Sequence, residues 1–279
     1  MEPSFGYSKS ACKRSGKLRG CVALITGADN GIGRAIAVAY AREGANIAFT
    51  YQKGYTDAAV TADMIRDSRT SMMALKMDQT KRHACEDVIR QVVETFGHID
   101  ILVNNTAYQQ TYSALEELAD DELERISNTN IADTVEFCRA ALKHLPPGGS
   151  IINTTSIEAV KPGNSLAPYA AAKATLANFT ATLAKEALGR GVKVTGVTPY
   201  LAKKPLIPSA FPTGHVPHFG ANTLFDRTAQ PAEVAPIFVL LAYRAASFFT
   251  GEIYDMTRDQ FRKSLTLSRN IARRFQTKL

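Results

Sequence analysis

From Cys21 onward, short apolar runs rich in β-branched residues alternate with segments whose apolar positions recur at helical spacing. The runs are "VALITG" (22–27), "NIAFTY" (46–51), "MMALKMD" (72–78), "DILVNN" (100–105), "SIINTTS" (150–156), "KVTGVTP" (193–199) and "GEIYDM" (251–256), and each reads as a strand. Between the first two, Ile32, Ala35, Ile36, Ala39 and Tyr40 form the stripe of an amphipathic helix, and Gly44 stands where a C-cap glycine belongs. Strand and helix in alternation predict an α/β fold, a doubly wound parallel sheet of about seven strands with helices on both faces. No repeat, low-complexity tract or interdomain linker interrupts the pattern, so residues 21–254 read as one domain. Residues 201–230 break the rhythm with four prolines and no periodicity. A segment of that length is a candidate substrate-binding lid.

Composition changes the picture little. The 279 residues are 45% hydrophobic, with no apolar run of the ~18 residues that a membrane span needs and no apolar leader. The expected location is cytoplasmic. Cys12, Cys21, Cys85 and Cys138 are scattered without ligand spacing, so they read as reduced thiols and no metal site is expected. The net charge of +7 belongs to the ends: residues 1–20 carry +4 and residues 255–279 carry +5, leaving the core near neutral at −2. These are read as a basic N-terminal arm and a basic C-terminal extension. Solvated tails explain such charge more simply than nucleic-acid contact, although an interaction module working through the tails is an alternative.

The chemistry begins at "TGADNGIG", placed between the first strand and the first helix. Gly27 permits a tight turn, Gly31 lets backbone approach a phosphate, and Gly33 permits close helix-to-strand packing. The helix N-terminus beyond them offers N–H groups to a pyrophosphate. With Asp29, Asn30 and Ile32 between the glycines, the turn is a candidate dinucleotide cradle of Rossmann type. An acid at the end of the second strand would bind the ribose of NAD and repel the 2′-phosphate of NADP. Thr50, Tyr51 and Gln52 are neutral there and Lys53 is basic, which favours NADP(H) over NAD(H).

In "SLAPYAAAKATL", Tyr169 precedes Lys173 by one helical turn, so both side chains can reach one pocket. A nearby ammonium favours the phenolate and lowers the tyrosine pKa from about 10, which would make Tyr169 a general acid or base.

The glycine turn, "NNTA" after the fourth strand, Asn130, Ser156 and "YAAAK" follow in one order and spacing, and together they closely resemble the short-chain dehydrogenase/reductase family. Within it, "SGKLRGCVALITGADNGIGRAIAVAYAREGA" and "PLIPSAFP" resemble the glucose/ribitol dehydrogenase and general-stress oxidoreductase group. The resemblance implies hydride transfer between nicotinamide and a small-molecule carbonyl or alcohol, in a homotetramer. Tyr169 would exchange the proton, Ser156 would bond the substrate oxygen, Lys173 would lower the tyrosine pKa and hold the ribose, and Asn130 would position a water. Asp78 matches an adenine-contacting aspartate, Asn104 the asparagine of the fourth-strand motif, and Ala107 and Pro199 further cofactor positions. Glu158, Tyr200 and Phe211 are the substrate-side candidates.

Three departures fall on the cofactor side. Ala107 replaces a family glycine, at a cost of roughly 1 kcal/mol if the backbone is left-handed. Tyr200 and Lys204 stand where the family has a glycine and a nicotinamide-contacting threonine, and "YDMTRD" replaces a Gly-Gly turn. These changes fit a reshaped pocket in a working enzyme, with specialised biosynthesis as one setting. The alternative is a protein whose nicotinamide site has decayed and which serves as a non-redox catalyst or scaffold.

Overall fold

The computed structural model describes residues 15–52, 54–78, 83–163, 165–199 and 227–256. Lys53, Tyr200, Lys204, Phe211 and almost all of the expected lid lie outside the described residues, as do most of both basic tails.

Seven strands form one parallel sheet: β1 (Val22–Ile25), β2 (Asn46–Tyr51), β3 (Met72–Lys76), β4 (Ile101–Asn104), β5 (Ser150–Thr154), β6 (Lys193–Thr198) and β7 (Ile253–Asp255). Their order across the sheet is β3-β2-β1-β4-β5-β6-β7, every pairing being parallel. All seven lie within the apolar runs read from sequence. Helices α1 (Gly31–Arg42), α2 (Tyr55–Arg66) and α7 (Pro231–Ala242) cover one face. Helices α3 (Ala84–Phe96), α5 (Asp133–Ala141) and α6 (Ala167–Leu188) cover the other, and α4 (Asp120–Ser127) leads into α5.

A sheet covered on both faces requires strands that are apolar at every position. In β1 the side chains alternate as the pleat demands: Ala23 and Ile25 enter the core beneath α1, and Val22 and Leu24 the core beneath α3 and α5. The α1 stripe behaves as its spacing predicts, with Ile32, Ala35, Ile36 and Tyr40 buried. Gly44 follows the helix at φ +94, the left-handed conformation that ends it.

One boundary needs correcting. Residues 15–20 were assigned to the N-terminal arm, yet Leu18 is fully buried in the core beside α1. Glu43 at the end of α1 holds this segment, accepting hydrogen bonds from the Ser15 and Lys17 amides at 3.2 and 3.0 Å. Among the described residues no helix is long and apolar enough to cross a membrane.

Two buried charges anchor the end of the sheet away from the glycine turn. Lys193 donates to the carbonyls of Leu241, Tyr243 and Ala246 at 2.9, 2.9 and 3.2 Å, closing the C-terminal end of α7. Burial pulls its pKa down to about 8, so an ammonium still fills this role at neutral pH. Asp100, entering β4, accepts from the Val22 amide at 2.9 Å and from Arg244 at 2.9 Å, and lies 3.1 Å from the His98 ring. Replacing Asp100 with alanine leaves the Val22 N–H buried without its acceptor, at an expected cost of about 2–4 kcal/mol in urea unfolding. Asp100→Asn keeps an acceptor for that amide and is expected to cost less; equal losses would show that the ion pairs, not the amide bond, carry the anchor.

Candidate active site

Strand order reverses between β1 and β4, so the connections leave in opposite directions and open a crevice at the carboxyl ends of the strands. The described candidates sit at that edge or on helices bordering it. The glycine turn follows β1, Tyr51 ends β2, Asp78 follows β3, "NNTA" closes β4, Ser156 follows β5 and Pro199 follows β6.

The glycines are required sterically. Gly27 and Gly31 have φ of +61 and +56, and a Cβ on Gly33 would stand 2.3 Å from the Gly27 carbonyl oxygen and 2.8 Å from the Ala28 Cα. Asn30, the N-cap of α1, makes no side-chain capping bond, so the first-turn N–H groups of residues 31–33 receive no acceptor from it. That is the anion-binding end of a helix. Ile32 points into the core and can serve a ligand only through its backbone.

The turn is held from both sides. Thr50 Oγ1 accepts from the Gly27 amide at 3.1 Å, and Thr26 Oγ1 accepts from the amides of Asn105 and Thr106 at 2.9 and 3.1 Å. Asn105 Nδ2 donates to the Thr26 and Gly27 carbonyls at 3.1 and 2.9 Å. Asn104 faces the other way: its Nδ2 donates across the sheet to Asn153 Oδ1 at 2.8 Å and to Cys138 Sγ at 3.3 Å. Of the paired asparagines, the second braces the turn and the first bolts β4 to β5. Ala107 is not among the residues with positive φ, so replacing glycine there carries no left-handed penalty.

On the other side of the crevice, Tyr169 and Lys173 lie one turn apart in α6, each 2% exposed. Tyr112 Oη accepts from the Ala167 amide at 3.0 Å and fixes the start of this helix. Lys173 Nζ donates to the Thr154 carbonyl at 3.0 Å and lies 5.7 Å from the Tyr169 ring centroid. Ser156 is buried beside the phenol, and its Oγ accepts from the Glu158 amide at 3.3 Å. Ile126 and Ala172 pack with Tyr169, and Ala107 adjoins this cluster.

Electrostatics set burial against the lowering expected at Tyr169. Burial pushes its pKa up to about 12, a hydrogen bond with Ser156 opposes the rise, and the Glu158 carboxylate adds to it. Lys173 is engaged by a carbonyl, and desolvation outweighs any help it gives the phenolate.

Asn130 answers the question of why an asparagine sits within a helix. It occupies a widened, π-type turn, Asn128–Ala132, joining α4 to α5. Its Nδ2 donates to the Ile126 and Tyr108 carbonyls at 2.8 and 2.7 Å, pinning the loop after β4 to the helix. Asp78 is exposed at the end of β3, and Pro199 is buried at the end of β6. Sequence reasoning missed Thr26, Asn105 and Thr154; the first two flank flagged residues, but Thr154 acts through its carbonyl, for which no side-chain pattern exists.

Residues 21–212 match the family model described as short chain dehydrogenase. The chain is 43% identical over 260 residues to NADPH-dependent aldehyde reductase 1, chloroplastic, of Arabidopsis thaliana, covering 91% of this chain and 90% of that protein. It is 39% identical over 259 residues to the glucose and ribitol dehydrogenase of Daucus carota, covering 91% and 89%. Among solved structures, a short chain dehydrogenase from Burkholderia cenocepacia J2315 in complex with NADP aligns with a TM-score of 0.81 at 28% identity, covering 86% of this chain and 98% of that one.

The steric argument at the turn has a direct test. In Gly33→Ala the new methyl meets backbone that cannot swing aside, and the expected loss is about 1–3 kcal/mol of stability by thermal unfolding. An unchanged melting temperature would mean that α1 and the turn are not held in this close contact.

Proposed function

The chain belongs to the short chain dehydrogenase family, and from that premise we propose that it is an NADP(H)-dependent oxidoreductase interconverting a small carbonyl compound and its alcohol. One observation carries the reading: the buried Tyr169, Ser156 and Lys173 lie on one side of a crevice whose other side is a glycine turn shaped for a pyrophosphate.

The residues fit the dinucleotide. The amides at the start of α1 would hold the pyrophosphate, and the cradle is one that a Cβ at Gly33 would fill. Tyr51 and Gln52 end β2 without an acid to repel a 2′-phosphate, in line with the NADPH-dependent relative and the NADP-bound structure. When bound, the nicotinamide supplies or accepts the hydride.

The chain handles the proton. Ser156 Oγ accepts from the Glu158 amide, and its hydrogen, shared with Tyr169 in the resting protein, would turn to a substrate oxygen. During carbonyl reduction, Tyr169 gives its phenolic proton to that oxygen, and alcohol oxidation runs the same transfer in reverse. Lys173, buried one turn away, is placed to stabilise negative charge developing on the phenolic oxygen as the proton leaves. Fixed dipoles at this depth need no solvent reorganisation, which gives the ammonium more effect on a transition state than its distance suggests.

Removing the proton donor separates chemistry from binding. Tyr169→Phe is expected to lower NADPH-driven carbonyl reduction by roughly 100-fold or more. The variant should still gain thermal stability from NADPH as the wild type does. Turnover at the wild-type rate would remove Tyr169 from its role, and a wild type unprotected by millimolar NADPH would sink the nucleotide reading.

The raised pKa fixes a direction with pH. With its pKa pushed up to about 12 by burial, Tyr169 is protonated at neutral pH, the form that reduction needs, whereas oxidation needs the phenolate. Rising pH should therefore increase kcat for alcohol oxidation by about tenfold per unit, up to the value the phenol takes in the complex, while reduction stays level through neutrality. Stopped-flow or steady-state profiles in both directions check this, and an oxidation rate flat with pH would contradict it.

A further inference from the structure

Arg34 is the fourth residue of α1 and only 6% exposed, a depth at which arginine needs specific partners. Its Nε donates to the Asp29 carbonyl at 3.0 Å and to Thr61 Oγ1 at 2.9 Å. Its Nη2 also reaches the Asp29 carbonyl, donates to the Asp57 carbonyl at 3.2 Å and lies 3.4 Å from the Asp57 carboxylate. Thr61, fully buried in α2, places its Oγ1 3.0 Å from the carbonyls of both Ala28 and Asp29.

Both carbonyls belong to the glycine turn. A peptide unit is planar and trans, so a carbonyl held on one side directs the next N–H to the other. Anchoring the Ala28 and Asp29 carbonyls toward Arg34 and Thr61 sets the amides of Asp29 and Asn30 on the opposite side. Without the anchor, the glycines that permit this turn also permit others.

We infer that Arg34 is a positioning residue of the dinucleotide site, acting on the pyrophosphate through the conformation of the glycine turn and therefore equally for NADPH and NADH. The inference rests on the dinucleotide reading above. It differs from the role expected of an arginine in an NADP site, which is to pair with the 2′-phosphate and so to discriminate between the two cofactors.

The chain contains no tryptophan, so binding can be followed by the emission of the reduced nucleotides themselves. In Arg34→Met, the Kd values for NADPH and NADH should both rise by about tenfold, with their ratio unchanged within about twofold. The KM for NADPH should rise in step, while kcat at saturating nucleotide falls less than affinity does. Arg34→Lys, which keeps the charge but not the fork, should shift both affinities in the same direction by less, and it provides the test if the methionine variant does not fold. A loss confined to NADPH would overturn the inference in favour of a direct 2′-phosphate contact. Unchanged affinities would overturn it outright. A wild type that binds neither nucleotide would instead remove the dinucleotide reading on which it stands.

Discussion

Desolvation of the Tyr169 hydroxyl is the constraint around which the site is arranged. A phenol packed with Ile126 and Ala172 holds its proton, burial pushing its pKa up to about 12. Such a group can give its proton only to an acceptor brought close to it, and it can regain acidity only from charge buried alongside. Ser156 and Lys173 are buried beside it, at 8% and 2% exposure. The same seclusion that opposes the phenolate in the resting protein makes the ammonium effective when negative charge forms, because little water is present to screen it.

The sheet turns these local facts into a site. Ser156 and Thr154 come from β5, the glycine turn from β1 and the "NNTA" brace from β4, and the parallel register of these three strands fixes their carboxyl ends at one level. Thr155 locks the β5 end further, its amide donating to the Val197 carbonyl at 2.8 Å and its hydroxyl lying 2.8 Å from Thr198 Oγ1. Helix α6 then sets Tyr169 against this edge, with Lys173 reaching the Thr154 carbonyl. The glycine turn and the Tyr169 group are thus built from different elements on one shared sheet.

Much of this was legible in the sequence because the information was local. Strand alternation, the α1 stripe, the C-cap at Gly44 and the steric need for glycine at 27 and 33 depend on neighbours in the chain, and each is matched in the structure. What failed was long-range. The paired asparagines look equivalent in sequence, and only the pleat at the end of β4 decides that Asn105 faces the turn while Asn104 faces Asn153. At Tyr169, helical spacing reveals the lysine but not the packing by Ile126, far away in the chain, or the charge of Glu158, both of which act against the phenolate. Leu18 was placed in a tail because surrounding basic residues masked a single buried side chain.

The departure at Ala107 connects these threads. Its backbone lies outside the left-handed region, so the position does not demand a glycine and a methyl group is accepted without conformational cost. That residue packs at the margin of the cluster formed by Ile126, Tyr169 and Ala172. Apolar volume beside a phenol disfavours its charged form. A residue that looks, in sequence, like damage to the cofactor side of the pocket therefore lies instead against the apolar cluster that buries Tyr169.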